Sequence, residues 1–239
     1  THIGPGQDNE ALLWQGNAAV PGTQRDVSGG WFDAGDFNKY SPWAAGLLWD
    51  LLAAYEWNPT AFNDSYNIPE SGNGVPDALD EYKWCLDWLL KMQLTNGAVL
   101  NRVGDGTGGR YYTPATTWAT ASFAAAMAHA SRVYAPFDSV YPGYSTTLLS
   151  AATNAWNYLS VTPTMTPTNG TDGAIGVAVA AAGSNAEEEF RLRVLAAAEL
   201  WKTTGNATYK TYFEANYNAP QSYSGGSHPL YGGWPHFDP

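Results

Sequence analysis

The stretch from Gly29 to Tyr40 reads Gly-Gly-Trp-Phe-Asp-Ala-Gly-Asp-Phe-Asn-Lys-Tyr. Two carboxylates in it, Asp33 and Asp36, lie three positions apart with only Ala34 and Gly35 between them. Small residues let the backbone bend and let a substrate approach closely. Two like charges held near each other change each other's proton affinity, which is what a site with a general base must arrange. A polar turn ahead of a helix is the simpler interpretation, since Asp and Gly are ordinary turn residues.

The composition describes an acidic, well-packed chain. Its 239 residues carry a formal net charge of −11 and are 44% hydrophobic. An acidic protein is repelled by nucleic acid and by anionic membrane surfaces, so we expect neither as a partner. The apolar fraction excludes disorder, and the length suits one large domain or two small ones; we expect a single domain over residues 1–239. The chain contains no run of 18 apolar residues, so we expect no transmembrane helix.

Single residue types add little to this picture. Cys85 is the only cysteine and lies in an apolar helical pattern, which predicts a small core residue rather than a nucleophile. The 11 Trp and 15 Tyr could stack on sugar rings or fill an ordinary core. The chain begins at Thr1 with neither Met nor a signal-like run, which we interpret as a processed or trimmed N-terminus.

Six segments have helical periodicity, and no alternating run predicts a sheet. The Ser41-Pro42 pair predicts an N-cap and first turn, and Ser184 and Asn185 precede Glu187 and Glu188 at capping-box spacing. The predicted helices cover about 41–57, 76–93, 116–134, 145–160, the stretch from that capping box to Gly205, and 207–217. The connections between helices one and two, two and three, and four and five are long, and long loops in a compact helical protein are usually functional.

The connection from Ile68 to Glu81 contains oxygen-bearing side chains and glycines that could hold calcium. Its spacing is not that of an EF-hand. Asp77, Asp80 and Glu81 would also be explained as acidic residues in the first turn of the second helix. A structural calcium ion therefore stays an open alternative.

Six motifs follow one another along the chain: Asp26 to Asp36, Ile68 to Asp77, Leu79-Asp80-Glu81, Trp88 to Gln93, Val103 to Gly106, and Ala196 to Trp201 followed by Thr204-Gly205. In this order, across about residues 26 to 217, they resemble glycoside hydrolase family 9, the inverting cellulase family. The Ile-Pro-Glu-Ser-Gly-Asn-Gly form resembles the bacterial branch.

The resemblance implies an all-α fold, an (α/α)6 barrel with the active site in a groove formed by long loops at one end. Our six helices fit about half of that barrel, because the family's catalytic domain is roughly twice as long as this chain. The missing C-terminal half is expected in cis or as a second chain. The family's general acid is a glutamate near the end of the catalytic domain. Glu214, the last glutamate here, falls in a helical pattern too early to match it.

By the same resemblance Asp36 is the general base, and Asp33 helps to hold the attacking water and to keep Asp36 ionised. An inverting glycosidase needs a base and an acid about 6.5–9.5 Å apart. Asp33 and Asp36 are too close in sequence to be that pair across a sugar ring. Trp31, Tyr111 and Tyr112 are the candidate substrate-binding residues, and we expect Tyr111 or Tyr112 to line a common cleft that both carboxylates face. The chemistry requires no metal or other cofactor.

Two departures from the family pattern stand out. Relatives often carry His and Trp residues that bind the sugar after Val-Gly-Asp-Gly, where this chain has Arg110, Tyr111 and Tyr112. Many relatives carry an Asp-Glu pair beside a calcium-binding loop where this chain has Arg191-Leu192.

The resemblance implies a secreted, extracellular hydrolase that cleaves β-1,4-glucosidic bonds in cellulose or related β-glucans. The alternatives are a non-catalytic glucan-binding protein, an inactive fragment that lacks the acid, and a purely structural helical domain. The motif of residues 29–40 argues against the last of these.

Overall fold

The computed structural model describes residues 7–106, 108–176 and 184–217, and the backbone of two further strands. Its six α-helices are α1 (Ser41–Trp57), α2 (Asp77–Met92), α3 (Thr117–Tyr134), α4 (Tyr144–Val161), α5 (Ala186–Thr204) and α6 (Ala207–Asn216). Each begins and ends within one or two residues of the predicted bounds. The helical predictions are therefore confirmed, and Cys85 is buried in the core as expected.

The helices are arranged around α3. This helix packs against α1, α4 and α5, while α6 packs on α5. Every residue of α3 except Arg132 is buried. Its alanines lack bulky side chains, so three neighbouring helices can approach its backbone closely. The order of packing is that of half an (α/α)6 barrel, and none of the described helices is long and apolar enough to cross a membrane.

Helix ends show which predicted caps form. Asn185 accepts a hydrogen bond from the amide of Glu188 at 2.8 Å, and Gly205 ends α5 in a left-handed conformation with φ of 69°. The predicted cap at Ser41 is wrong. Tyr40 is the N-cap residue of α1, and the Ser41 hydroxyl instead donates to the carbonyl of Leu100 at 2.7 Å.

The expectation that the chain forms no sheet is also wrong. Five short strands, β1 (Ala11–Gln15), β2 (Ala18–Arg25), β3 (Lys39–Tyr40), β5 (Arg102–Gly106) and β6 (Gly109–Tyr112), form one sheet in the order β2-β1-β6-β5-β3. β4 (Val99–Leu100) pairs with β7 (Ala115–Thr116), and β8 (Pro220–Tyr223) pairs with β9 (Gly226–Pro229). Glycines and a proline interrupt the alternation, so the strands are visible only once distant segments pair.

The sheet positions the Gly29–Tyr40 motif. β3 pairs with β5 through Lys39 and Val103, and α1 starts directly after β3. The amide of Ser41 also donates to the carbonyl of Asn101 at 2.9 Å. The segment that carries the two aspartates is therefore held between the sheet and the first turn of α1.

Candidate active site

Residues 33–38, which we call the aspartate loop, form a closed turn ahead of β3. The amide of Asp33 donates to the carbonyl of Asn38 at 2.8 Å, which joins the two ends of the loop. Phe37 has a positive φ of 59°, which is uncommon for a residue other than glycine. Both aspartates lie on this one loop before α1, as the sequence predicts.

Asp33 lies at the wall of a pocket of about 250 Å³. The other lining residues come from the segment before the aspartate loop, from β3 and from the first turns of α1. They are Trp31, Phe32, Tyr40, Trp43, Ala44 and Leu47. Partial burial and the charge of Asp36 raise the pKa of Asp33 above its usual value. Two carboxylates close enough to repel each other are the arrangement predicted from the motif.

The carboxylate of Asp36 is held by two hydrogen bonds from Asn38. Asn38 donates its side-chain amide to Oδ2 of Asp36 at 2.7 Å and its backbone amide to Oδ1 at 3.2 Å. The side chain of Asp36 is otherwise largely exposed. A cleft shared by both carboxylates stays a prediction, because Asp33 lines the pocket while Asp36 is directed onto Asn38.

Trp31 forms part of the pocket wall and is fixed from behind. Its indole nitrogen donates to Oε1 of Glu81 on α2 at 2.8 Å, and its ring meets Tyr82 edge to face with centroids 6.4 Å apart. A ring held in this way offers a preorganised apolar surface. Trp43 is 45% exposed at the same pocket, and its ring lies 4.2 Å from that of Tyr40. The sequence analysis did not single out Trp43, although its position three residues after Tyr40 places it on the first turn of the predicted helix.

Tyr111 and Tyr112 do not line this pocket, so the prediction that one of them shares it with the aspartates is wrong. They are neighbours on β6 and point to opposite faces of the sheet. Tyr111 packs against Trp14 with ring centroids 4.6 Å apart, and Tyr112 is buried in the main core and donates its hydroxyl to Thr23. Their role in substrate binding stays a prediction.

A buried ion network lies beneath the aspartate loop. Lys39 and Asp8 have no exposed side-chain surface and are 2.8 Å apart. Lys39 also donates to the carbonyls of Val27 and Gly29 at 2.8 Å each, so all three of its protons are used. Arg110 binds the other oxygen of Asp8 at 2.6 Å. The sequence analysis missed this network, because Asp8, Lys39 and Arg110 lie far apart in the chain and no local pattern joins them.

The chain leading to the aspartate loop is packed tightly on α2. The carbonyl of Gly30 accepts a hydrogen bond from the indole of Trp84 at 3.0 Å. Gly30 has φ of 77°, and a Cβ atom there would lie 2.5 Å from the ring of Trp88. Only glycine fits both the backbone conformation and the space. The approach to the two aspartates is therefore fixed by the surface of α2.

The candidate calcium loop uses its carboxylates in hydrogen bonds within the chain. Asp64 accepts from the amides of Gly72 and Gly74 at 2.5 and 2.7 Å. Asp77 accepts from the hydroxyl of Ser71 at 2.7 Å, and Asp80 accepts from the side-chain amide of Asn73 and from Tyr141. Within the part of the chain that the structure describes, no group of three or more His, Cys, Asp or Glu side chains could hold a metal ion. Calcium in this loop stays an open alternative.

Arg191, at the position where the resemblance implies an acidic residue, is also turned inward. It is largely buried on α5 and donates to Glu187 one turn earlier at 2.7 Å. The next arginine on the helix, Arg193, binds Glu189 and the carbonyls of Leu159 and Thr162 at the end of α4. Arg193 thereby joins α5 to the end of α4.

Comparison with known proteins gives consistent matches. The family model described as glycosyl hydrolase family 9 matches residues 2–236. Endoglucanase D of Acetivibrio thermocellus is 32% identical over 225 residues, which cover 88% of this chain and 34% of that protein. The xyloglucan-specific endo-beta-1,4-glucanase BoGH9A of Bacteroides ovatus is 34% identical over 241 residues, which cover 91% of this chain and 40% of that protein.

Solved structures agree with the sequence matches. A Bacteroides ovatus GH9 structure superposes with a TM-score of 0.74 at 29% identity, over 91% of this chain and 44% of that one. The chain thus spans between a third and a half of the length of these three proteins.

Proposed function

The chain belongs to glycosyl hydrolase family 9, and from this membership we propose that the protein containing it hydrolyses β-1,4-glucosidic bonds in cellulose or a related β-glucan with inversion of configuration. The observation that carries the proposal is the aspartate loop. It places Asp33 at the wall of a pocket lined by aromatic residues, beside Asp36, whose charge raises the pKa of Asp33. The endoglucanase names of the relatives support the same reaction and do not favour a protein that only binds glucan.

Asp36 acts as the general base in this proposal. It removes a proton from a water molecule as the water oxygen attacks the anomeric carbon from the face opposite the leaving group. The two donors from Asn38 stabilise the ionised carboxylate that this step requires. Asp33 orients the same water. A second negative charge favours proton uptake by a carboxylate, so we assign Asp33 no part in keeping Asp36 ionised.

The general acid must protonate the leaving oxygen from the other side of the glycosidic bond, and we propose that it lies outside residues 1–239. Glu214 does not fit the role, because it is exposed on α6, where it lies 3.6 Å from Lys210. The acid would then be supplied by the other helices of the barrel, in cis or on a second chain. Trp43 and Leu47, which are 45% and 51% exposed on α1, are apolar side chains that such helices or a bound sugar would cover.

Trp31 and Trp43 would hold the sugar. Flat aromatic faces pack against the apolar faces of pyranose rings, and both indoles line the pocket beside Asp33. A glucan bound across these rings would bring one glycosidic bond to the aspartate loop. Because the substrate is a polymer outside the cell, we also expect the protein to be secreted.

The experiment is an assay of the complete natural polypeptide on soluble β-1,4-glucan, with the anomeric configuration of the first product followed by proton NMR. We expect cleavage with the α-anomer formed first. A protein that binds the glucan without cleaving it would instead support the non-catalytic alternative. Mass spectrometry of the intact protein reports in the same experiment whether further helices are in cis or on a second polypeptide.

A further inference from the structure

We propose that Arg110 and Asn38 are positioning residues that together fix the carboxylate of Asp36. The inference rests on the proposed role of Asp36 as general base. Neither residue touches the pocket that Asp33 lines. Arg110 acts on the aspartate loop from the sheet, through the backbone of Phe37, and Asn38, the last residue of the loop, acts through the carboxylate itself.

Arg110 uses its whole guanidinium group to join three segments. Nε and Nη2 bind the two carboxylate oxygens of Asp8 at 2.6 and 3.2 Å. Nη1 binds Asp105 on the neighbouring strand β5 at 3.0 Å. Nη2 also donates to the carbonyl of Phe37 at 2.7 Å. The guanidinium is planar and rigid, so the position of the Phe37 carbonyl follows from the position of the buried Asp8 carboxylate.

The hydrogen bond that the Phe37 carbonyl accepts from Arg110 restrains the backbone of the aspartate loop. Phe37 adopts a left-handed conformation that a non-glycine residue holds only when its surroundings impose it. Its side chain is 50% exposed and meets only Phe32 edge to face among the described aromatic pairs, with centroids 5.0 Å apart. The hydrogen bond from Arg110 therefore stabilises the peptide orientation that directs the amide of Asn38 back toward Asp36.

Asn38 completes the connection. It is 2% exposed and contacts both catalytic candidates, because its carbonyl accepts from the amide of Asp33 while its two amide groups donate to Asp36. Its side-chain oxygen accepts from the amide of Asp105 at 3.4 Å. The Asp36 carboxylate is thus fixed by a buried side chain that is itself fixed on β5. Misplacing a reacting group by about 1 Å can cost about 100-fold in rate, so this restraint matters for the base.

The test compares Arg110→Gln and Asn38→Ala with Arg25→Gln in the complete natural polypeptide. Arg25 is a matched control, since it is also half-buried and donates to backbone carbonyls, those of Lys91 and Gln93. We expect Arg110→Gln and Asn38→Ala to lower kcat by about 10-fold or more while KM changes by less than about threefold. Arg25→Gln should lower the melting temperature and leave kcat within about twofold of the unmodified protein. Arg110→Lys, which keeps the charge but not the fork, should fall between.

Hydrogen exchange gives a second readout that does not depend on activity. In Arg110→Gln the amides of residues 33–38 should exchange at least about fivefold faster, while those of the 59–76 connection keep their rates. If the unmodified protein cleaves β-glucan and both variants keep kcat within about twofold, the inference is wrong. If the unmodified protein cleaves no β-glucan, the proposed function fails, and unchanged exchange in residues 33–38 then overturns the positioning role separately.

Discussion

The ammonium nitrogen of Lys39 lies 2.8 Å from Oδ2 of Asp8, and neither side chain has any exposed surface. Burial lowers the pKa of Lys39 to about 8, although the charge of Asp8 opposes the shift. Burial also acts to raise the pKa of Asp8, but hydrogen bonds from Arg110 and Lys39 outweigh it and lower that pKa. The pair therefore anchors the N-terminal segment, the start of the motif and β6 to one another beneath the aspartate loop.

We expect Lys39→Met to destabilise the protein by about 3–5 kcal/mol. The buried carboxylate of Asp8 would lose the charge of Lys39 and keep only that of Arg110. Urea unfolding of the complete polypeptide measures the loss. The matched control is Lys210→Met, since Lys210 pairs with Glu214 at the surface, where 46% and 56% of the two side chains are exposed. That control should cost less than about 1 kcal/mol. A loss below about 1 kcal/mol for Lys39→Met would contradict the anchoring role.

We expect Gly30→Ala to cost about 2–4 kcal/mol, since the new methyl group would overlap the ring of Trp88 in a backbone conformation that alanine avoids. Gly72→Ala is the control. Gly72 also has a positive φ, of 90°, but no atom lies within 4 Å of an added Cβ. It should cost only about 1–2 kcal/mol. Thermal unfolding of both variants separates the free-energy cost of the steric overlap from that of the backbone strain. Equal losses of stability would show that the Trp88 ring moves aside at little cost.

We expect Asp36→Asn to reduce turnover by about 10²–10⁴-fold while substrate binding survives, because asparagine keeps the shape but cannot accept the proton of the attacking water. Asp33→Asn should be severe but milder, since Asp33 positions water and tunes its neighbour. Steady-state kinetics on soluble β-glucan, with glucan affinity measured separately, check both. Retention of more than about a tenth of the activity by Asp36→Asn would rule out Asp36 as the base.

Azide should partly restore cleavage by the Asp36→Asn variant. A small anion can occupy the place of the water and needs no base to attack. The expected product is a glycosyl azide of inverted configuration, identified by NMR. A wild-type product with retained configuration would show that the carboxylates work by the covalent route instead.

We expect part of the stability to depend on Glu56 and to be lost in acid. Burial acts to raise the pKa of Glu56, but hydrogen bonds from Arg132 and Lys202 lower it to about 2, from 4.5. The folded protein therefore keeps this charge where the unfolded chain has taken up a proton, so the contribution is complete above about pH 4.5 and is lost as the pH falls toward about 2. The charged and titratable side chains facing Glu56 are His129, Arg132 and Lys202, with Glu199 beyond them.

Urea unfolding at a series of pH values tests this dependence. The difference in unfolding free energy between the unmodified protein and Glu56→Gln should narrow steadily from pH 5 to pH 3. The exposed Glu214→Gln serves as control and should give a small difference at every pH. A Glu56→Gln difference that stays constant or widens in acid would contradict the assignment.

The helices and the aspartate pair could be predicted from the sequence because both depend on residues close together in the chain. Helical periodicity and local caps gave bounds for α1 to α6 that the structure confirms within one or two residues. Asp33 and Asp36 fall on one loop because two small residues separate them in a turn-forming stretch. The failure at Ser41 is instructive. Its hydroxyl donates to the carbonyl of Leu100, a residue far along the chain, and does not cap the first turn of its own helix.

Only the tertiary structure decided what surrounds the pair. The sheet joins residues 11–25 to residues 102–112, and this pairing turns Tyr111 and Tyr112 inward and brings Arg110 to the carbonyl of Phe37. It also encloses Lys39 with Asp8, which no local pattern indicates. Periodicity reports which face of an element is apolar, but it carries no information on which distant strand will pair with it. The position of the two aspartates on one loop therefore follows from the sequence alone, whereas the hydrogen bonds that orient Asp36 depend on strand pairing.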